Sequence, residues 1–239
     1  MMNTIDLGRP ARVWIDAGHG GSNVGAISHG LSENALNLEI AFCLEAVLRA
    51  NGHTVEMTRR SDTYVDNELR GCRSVNWGAE LFLSIHHNAY DGASRGVEAF
   101  AHRATYVNGM HLALRCAQAI HQDFGLPYHG EPAKQHWLNL GIFEGCRNAV
   151  KVTCTLIECL FIDNDRDAQV ASQLGYAEKM AEAIAKGVHR HLGLPDPACK
   201  PQTAPIKIVN YATGLVVAEY RMVPNGNHIG DQGKLYVRC

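Results

Sequence analysis

Three side chains in the N-terminal part of the chain have the chemistry of metal ligands. His19 lies in a glycine-rich turn, Glu33 is in the first turn of a predicted helix, and His86 closes a predicted strand. Two histidines and one carboxylate leave a coordination position open for water, which is typical of catalytic rather than structural zinc. Taken singly, each residue also fits a simpler role, such as a surface-loop histidine or a glutamate favoured by the helix dipole.

A fourth candidate, Glu158, interrupts an otherwise apolar predicted strand over residues 151–161. Burying a carboxylate is costly unless it is paired or lies near a metal, and burial raises its pKa. A raised pKa suits a general acid/base that works near neutral pH. The alternative is a buried salt bridge to an arginine such as Arg70.

Two other motifs fail when they are compared with known sites. The run Gly18–Asn23 lacks the last glycine of the dinucleotide-binding pattern. Asp163, Asp165 and Asp167 alternate as in a calcium-binding loop, but positions six and twelve of that loop hold alanine and leucine. We therefore expect the acidic segment to be a loop at the start of a helix.

Alternating strand-like and helix-like segments predict the fold class. Strands are expected at residues 12–16, 53–58, 81–86, 96–101 and 151–161, and helices at 32–50, 66–77, 108–124 and 169–192. This order is typical of an α/β domain, with a single twisted, mainly parallel sheet and helices on both faces. Ligands of such sheets bind beyond the carboxyl ends of the strands, where His19 and His86 are expected.

A change in composition near residue 194 divides the chain. We expect residues 1–194 to form the α/β domain and the proline-rich residues 195–205 to form a linker. Residues 206–239 are expected to be a small β-rich C-terminal segment with an excess of basic residues. Its strand-like pieces lie at residues 206–210, 215–220 and 234–237.

Composition narrows the class of protein. The 239 residues are 46% apolar and carry a formal net charge of −2, without the basic excess typical of nucleic-acid binders. No apolar run reaches the ~18 residues of a membrane span. The first residues lack the basic and apolar regions of a secretory signal peptide. We therefore expect synthesis in the cytoplasm, and reduced cysteines.

Four sequence blocks resemble the zinc-dependent N-acetylmuramoyl-L-alanine amidases of the family often called amidase type 3. The blocks follow family order over residues 12–192, which makes them more specific together than any one of them alone. They are Val-Trp-Ile-Asp-Ala-Gly-His-Gly-Gly (13–21) with Gly-Leu-Ser-Glu (30–33), residues 58–65 with 69–70, residues 79–89 with 95–98, and residues 156–164.

The resemblance implies that His19, Glu33 and His86 bind one zinc ion per chain and that Glu158 is the catalytic glutamate. His87 stands where the family usually has a small or apolar residue, so the family pattern favours His86 as the ligand. Residues 1–194 are then the catalytic domain. The implied reaction is hydrolysis of the amide between the lactyl group of N-acetylmuramic acid and L-alanine of the peptidoglycan stem peptide.

Within this family, a chain without a signal peptide resembles an endolysin released by a holin, or an enzyme of mother-cell lysis. Either would be bacteriolytic, acting on the cell wall after release. The segment 206–239 is a candidate for contact with the wall. Two alternatives remain: another zinc hydrolase on a similar scaffold, such as an exopeptidase, and a non-catalytic wall-binding protein.

Overall fold

Strands and helices alternate along the chain, as the sequence predicts. The computed structural model describes residues 8–101, 106–135, 141–146, 152–198, 206–209 and 216–220. Its strands are β1 (Arg12–Ala17), β2 (Ile27–Ser28), β3 (Leu31–Ser32), β4 (Thr54–Met57), β5 (Leu81–Asn88), β6 (Glu98–Ala101), β7 (Lys134–Gln135), β8 (Thr153–Phe161), β9 (Ile206–Val209) and β10 (Val216–Tyr220). Its helices are α1 (Glu33–Ala50), α2 (Asn67–Trp77), α3 (Tyr106–Phe124), α4 (Gly141–Glu144), α5 (Asp165–Ala171) and α6 (Tyr176–His191).

Six strands form the central sheet, in the order β4-β1-β5-β8-β6-β7. β1 is parallel to β4 and to β5, and β5 is parallel to β8. β6 runs antiparallel to β8 and parallel to β7. The sheet is therefore mainly parallel, as predicted, and the carboxyl ends of β1, β5 and β8 meet at one edge.

Helices cover both faces of this sheet, because both faces of its central strands are apolar. Phe82 of β5 packs with Trp14 of β1 and Phe143 of α4 on the face where α2 and α4 lie. Alternate residues point to opposite faces, so Leu83 and Ile85 lie on the other side, where both are fully buried. On that side α1 and α3 each pack against α6. The predicted fold class is confirmed.

The single closing helix predicted over residues 169–192 is wrong. The structure has two helices, α5 and α6, separated by residues 172–175. The side-chain oxygen of Asn164 caps α5, and Gly175 adopts a left-handed conformation, with φ of 82°, immediately before α6. The hydrophobic pattern hid this break, because Leu174 looks like a core residue but is 96% exposed.

Three short elements were not predicted: the β2–β3 hairpin, β7 and α4. The hairpin turns through His29 and Gly30, whose φ angles are 52° and 74°. Two consecutive residues with positive φ are typical of a tight two-residue hairpin. A histidine rarely adopts this conformation, so the sequence carries only a weak signal for the turn.

The chain divides into two compact units, Met1–Pro197 and Ala198–Cys239. In the second unit β9 and β10 pair antiparallel, with Lys207 opposite Glu219. The strand predicted at residues 234–237 and most of the predicted linker lie outside the described residues. Among the helices that the structure describes, none has the length and apolar character needed to cross a membrane.

The contact between α3 and α6 depends on a glycine. A Cβ atom added to Gly187 would lie 2.5 Å from the Cα atom of Cys116, so alanine cannot fit unless the helices separate. Gly187→Ala should lower the free energy of unfolding by about 1–3 kcal/mol, as overpacked cores do, despite alanine's higher helix propensity. Urea unfolding of both proteins measures this. A variant as stable as the original chain would contradict the close packing of α3 and α6 at Gly187.

Two pairs of histidines connect the end of α6 to neighbouring segments. The Nε2 atoms of His53 and His189 are 3.1 Å apart, and the Nδ1 atoms of His111 and His191 are 2.9 Å apart. Burial, followed by the charge of the neighbouring histidine, lowers the pKa of His53 and of His191 to about 4. Both rings are therefore neutral in the folded protein at pH 7.

This lowered pKa makes His191 a source of acid instability. Well above pH 6.5, the ordinary pKa of histidine, the ring is neutral in both states and adds no pH dependence. Between pH 6.5 and about 4 the unfolded chain takes up the proton and the folded chain does not. We expect the stability advantage of the natural chain over His191→Asn to shrink on acidification, by up to about 1.4 kcal/mol per pH unit. Urea unfolding at pH 7 and pH 5 tests this; an advantage equal at both pH values would contradict it.

Candidate active site

His19, Glu33 and His86 come together at the carboxyl edge of the sheet. His19 follows β1 with a left-handed φ of 60°, Glu33 begins α1, and His86 lies near the end of β5. Glu33 Oε1 is 3.1 Å from His19 Nε2 and 3.0 Å from His86 Nδ1. One ligand-type atom from each residue lies within 4.8 Å of the other two.

Two glycines leave the space that the side chains of His86 and Glu33 occupy. A Cβ atom on Gly18 would lie 2.3 Å from His86 Nε2, and one on Gly25 would lie 2.4 Å from Glu33 Oε2. Burial alone would raise the pKa of Glu33, but hydrogen bonds from His19 and His86 outweigh burial and hold that pKa well below its usual range. Two imidazoles and an ionised carboxylate form a donor set that fits zinc.

The neighbouring histidine of β5, His87, faces the opposite side of the sheet. Its Nδ1 is 2.8 Å from Asn37 Oδ1 and its Nε2 is 2.8 Å from Tyr176 Oη. The side chain is buried, and burial lowers its pKa to about 4. His87 therefore lies outside the cluster, although its backbone N–H donates to Glu33 Oε1.

Two buried arginines hold the turn that carries His19. Arg70 donates to the carbonyl oxygens of Ala17 and His19 and pairs with Asp16 at 3.1 Å. Arg59 also donates to the Ala17 carbonyl, and its burial lowers its pKa to about 10, so it stays charged at pH 7. The salt bridge considered between Arg70 and Glu158 is wrong, because Asp16 is the partner of Arg70.

Glu158 lies in the strand next to His86. It is directly opposite His86 of β5 on one side and Glu98 of β6 on the other, so the three side chains share a face of the sheet. The residue is partly exposed, yet its Oε2 atom is enclosed and has no hydrogen-bond partner among the described residues. Burial, with added repulsion from Glu33 and Glu98, raises the pKa of Glu158 well above its usual value.

Sequence reasoning missed the ion pair beside Glu158. Glu98 is buried and accepts from Asn88 Nδ2 at 2.6 Å and from Lys134 Nζ at 2.5 Å. Lys134 comes from β7, which was not predicted. In the sequence, residues 95–98 belong to a block that resembles the family, but the block does not indicate that Glu98 forms an ion pair.

The β2–β3 hairpin is attached to the loop that follows β8. His29 Nδ1 is 3.0 Å from the carbonyl oxygen of Ile162, and His29 Nε2 is 2.9 Å from Asp165 Oδ1. Asp163 of the same loop accepts from the backbone N–H groups of Tyr90 and Gly92. The acidic segment is thus a helix-start loop, as predicted, and it joins the segments before Glu33 and after His86.

Comparison with known proteins gives the family. The Amidase_3 family, N-acetylmuramoyl-L-alanine amidase, matches residues 13–190. The sporulation-specific N-acetylmuramoyl-L-alanine amidase of Bacillus subtilis is 39% identical over 191 residues, covering 77% of this chain and 69% of the relative. N-acetylmuramoyl-L-alanine amidase LytC of the same species is 31% identical over 177 residues, 73% of this chain but only 34% of LytC.

The solved structures agree with this assignment. The amidase AmiC2 of Nostoc punctiforme superposes with a TM-score of 0.67 and 26% identity, covering 77% of this chain and 97% of that one. The family match over residues 13–190 lies within the unit Met1–Pro197, and the resemblance of the four sequence blocks is confirmed at the level of the family. The chain belongs to the N-acetylmuramoyl-L-alanine amidase family Amidase_3.

Proposed function

We propose that this protein is a zinc-dependent N-acetylmuramoyl-L-alanine amidase that cleaves the lactyl–L-alanine amide of peptidoglycan. The observation that carries the proposal is the convergence of His19, Glu33 and His86 at the carboxyl edge of the sheet. Glu158 lies in the neighbouring strand, and its Oε2 has no hydrogen-bond partner among the described residues. Membership of the amidase family supports the choice of bond.

The proposed ligands of one zinc ion are His19, Glu33 and His86. When bound, zinc supplies a Lewis acid for the scissile carbonyl and for a water molecule. The chain holds its donors in place before binding: Arg59 and Arg70 fix the turn of His19. The backbone N–H of Ala26 donates to Glu33 Oε2 at 2.9 Å. This preorganisation limits the entropy lost when the ion binds.

Glu158 is the proposed general base and acid. Its carboxylate takes a proton from water as the water oxygen bonds to the carbonyl carbon, and returns that proton to the amide nitrogen as the C–N bond breaks. The products are a free lactyl carboxylate on the glycan and an L-alanine amine on the stem peptide. Burial raises the pKa of Glu158 above that of an ordinary carboxyl group, which favours a group that first takes up a proton and then gives it back.

For the organisation of the chain, we propose residues 1–194 as the catalytic domain, 195–205 as a linker and 206–239 as a segment that contacts the cell wall after release of the enzyme. The wall-contact role rests on the basic excess of that segment. A chain ending at Leu194 should sediment with purified walls less completely than the full chain. If the shortened chain and the full chain sediment equally with walls, residues 206–239 do not contribute to wall contact.

Digestion of purified peptidoglycan by the zinc-loaded full chain tests the proposed reaction. Mass spectrometry of the products should find intact stem peptides with a free N-terminal L-alanine, together with glycan carrying unsubstituted lactyl groups. Shortened stem peptides would identify an exopeptidase instead. Binding to walls without any released peptide would identify a non-catalytic binder.

A further inference from the structure

The side chain of His29 joins the β2–β3 hairpin to the loop that follows β8. We propose that His29 is a positioning residue of the proposed active site, and that its imidazolium cation fastens the hairpin beside Glu33 to the loop beyond Glu158. The inference rests on the proposed function, because it concerns how the proposed zinc ligands are placed relative to the proposed base.

The segment that leads into the hairpin contacts the proposed metal ligands directly. The backbone N–H of Ala26 donates to Glu33 Oε2 at 2.9 Å, and the Ala26 carbonyl accepts from the backbone N–H of Glu33 at 2.9 Å. A Cβ atom on Gly25 would lie 2.7 Å from Cδ2 of His19, so the same segment packs against that ring. A shift of the hairpin therefore moves atoms that hold two of the three proposed ligands.

The other side of the contact follows Glu158 in the chain. Ile162, whose carbonyl oxygen lies 3.0 Å from His29 Nδ1, is four residues beyond Glu158. The backbone N–H of Ile162 donates to the carbonyl oxygen of Asn88 at 2.9 Å, which fixes the loop to the end of β5. His29 thus connects the segment that holds Glu33 to the continuation of the strand that carries Glu158.

The atoms around the His29 ring favour its protonated form. Nδ1 is 3.0 Å from the carbonyl oxygen of Ile162, and Nε2 is 2.9 Å from Asp165 Oδ1. Both oxygens are acceptors, and a neutral imidazole has one N–H to donate whereas an imidazolium has two. A neutral ring would turn a lone pair towards one of these oxygens. Ser28 Oγ, 3.0 Å from Nδ1, fits either form because a hydroxyl can donate or accept.

The charged groups that act on His29 also favour the cation. The hydrogen bond to Asp165 raises its pKa most, the Ile162 carbonyl comes next, and the charge of Asp163 adds to the effect. Arg166 follows Asp165 in the loop but is exposed, and the pKa is raised all the same. The fastening is therefore complete below the ordinary histidine pKa and is lost as pH rises through the raised pKa.

Two substitutions alter the contact without altering the backbone. His29 has a φ of 52°, and asparagine is one of the few residues that share histidine's tolerance of this conformation, so His29→Asn keeps the turn and removes the cation. Asp165→Asn removes the negative charge, while Asn164 still caps α5. The matched control is His121→Asn in the last turn of α3, where the ring donates to the Leu126 carbonyl.

Proton nuclear magnetic resonance of the histidine rings in the full chain measures the charge of His29, and the signal lost in His29→Asn identifies it. We expect a pKa above the ordinary 6.5 in the natural chain and a lower pKa in Asp165→Asn. This measurement needs neither zinc nor substrate. A pKa of 6.5 or less, or one unchanged in Asp165→Asn, would overturn the inference.

Turnover of a muramyl peptide by the zinc-loaded full chain tests the positioning role. The kcat of the natural chain divided by that of His29→Asn should be about three at one pH unit below the measured pKa, the size expected of an exposed ion pair. It should fall to about one at two units above that pKa. Both proteins have the same proposed ligands and Glu158, so titration of those groups cancels in the ratio. His121→Asn should match the natural chain at both pH values, and a ratio for His29→Asn that is equal at both would overturn the positioning role.

Hydrogen exchange separates this inference from the proposed reaction. The amide of Ala26 should exchange about threefold faster in His29→Asn than in the natural chain at the lower pH, and equally fast at the higher pH. If no peptide is released but this difference is seen, the proposed reaction fails and the fastening of the hairpin stands. Equal exchange in the two chains at the lower pH would overturn the fastening.

Discussion

Replacing Glu158 by glutamine is expected to lower kcat by about 10²–10⁴-fold, the usual contribution of a general acid/base. Glutamine has nearly the same shape but can neither accept the proton of the attacking water nor deliver one to the leaving nitrogen. Glu158 is opposite His86 in the sheet but is not one of the three clustered residues proposed as ligands. Zinc content should therefore stay equal to that of the natural chain while turnover of peptidoglycan is lost.

Stability provides the control for this variant. The pKa of Glu158 is higher in the folded protein than in the unfolded chain. At pH values above the unfolded pKa, the cost of burying this carboxylate therefore lowers the free energy of unfolding. The cost disappears as the pH falls and the carboxyl group is protonated in both states. Metal-free Glu158→Gln should be at least as stable as the natural chain at pH 8. Near-normal activity would remove Glu158 from the mechanism, whereas a large loss of stability would show that the lost turnover reflects unfolding.

Replacing Arg70 by methionine should cause the largest loss of stability, about 3–5 kcal/mol, the usual cost of removing one partner of a buried ion pair. Arg70 is 2% exposed, and its loss leaves the fully buried Asp16 without its cation. The carbonyl of His19 also loses its donor, so zinc affinity should fall as well. Denaturant unfolding and zinc titration measure the two effects.

The matched control for Arg70→Met is the double variant with Asp16→Asn. Asparagine removes the unpaired charge and can still accept the hydrogen bond that Ser84 donates to Asp16 at 2.7 Å. The double variant should regain part of the lost stability, which a double-mutant cycle detects as coupling. Additive effects at the two positions would contradict a direct ion pair.

Most of the fold could be predicted from the sequence because the hydrophobic residues of its central strands are nearly consecutive. β5 and β8 are nearly continuous apolar runs, the pattern of strands buried on both faces of a sheet. The break between α5 and α6 could not be predicted, since it depends on Gly175 adopting a left-handed turn in a stretch that reads as helical. The hairpin at His29 was missed because its turn conformation is unusual for histidine.

The site was predictable as a set of residues but not as an arrangement. The residue types of His19, Glu33 and His86 indicated a metal, and strand order brought the ends of β1 and β5 together. Alternation along β5 separates His86 from His87, but only contacts with Asn37 and Tyr176 show where His87 lies. The roles of Arg59, Arg70 and Glu98 depend on distant partners, which sequence spacing does not reveal.

Zinc content after reconstitution tests the central claim most directly. Metal analysis of the full chain should find one zinc per molecule, and His86→Ala should hold less than a tenth of that amount because it loses one of the three proposed ligands. His87→Gln, altered on the opposite face, is the control and should keep its zinc if it folds. A natural chain that binds no zinc, or a His86→Ala variant that binds as much as the natural chain, would contradict the proposed metal site.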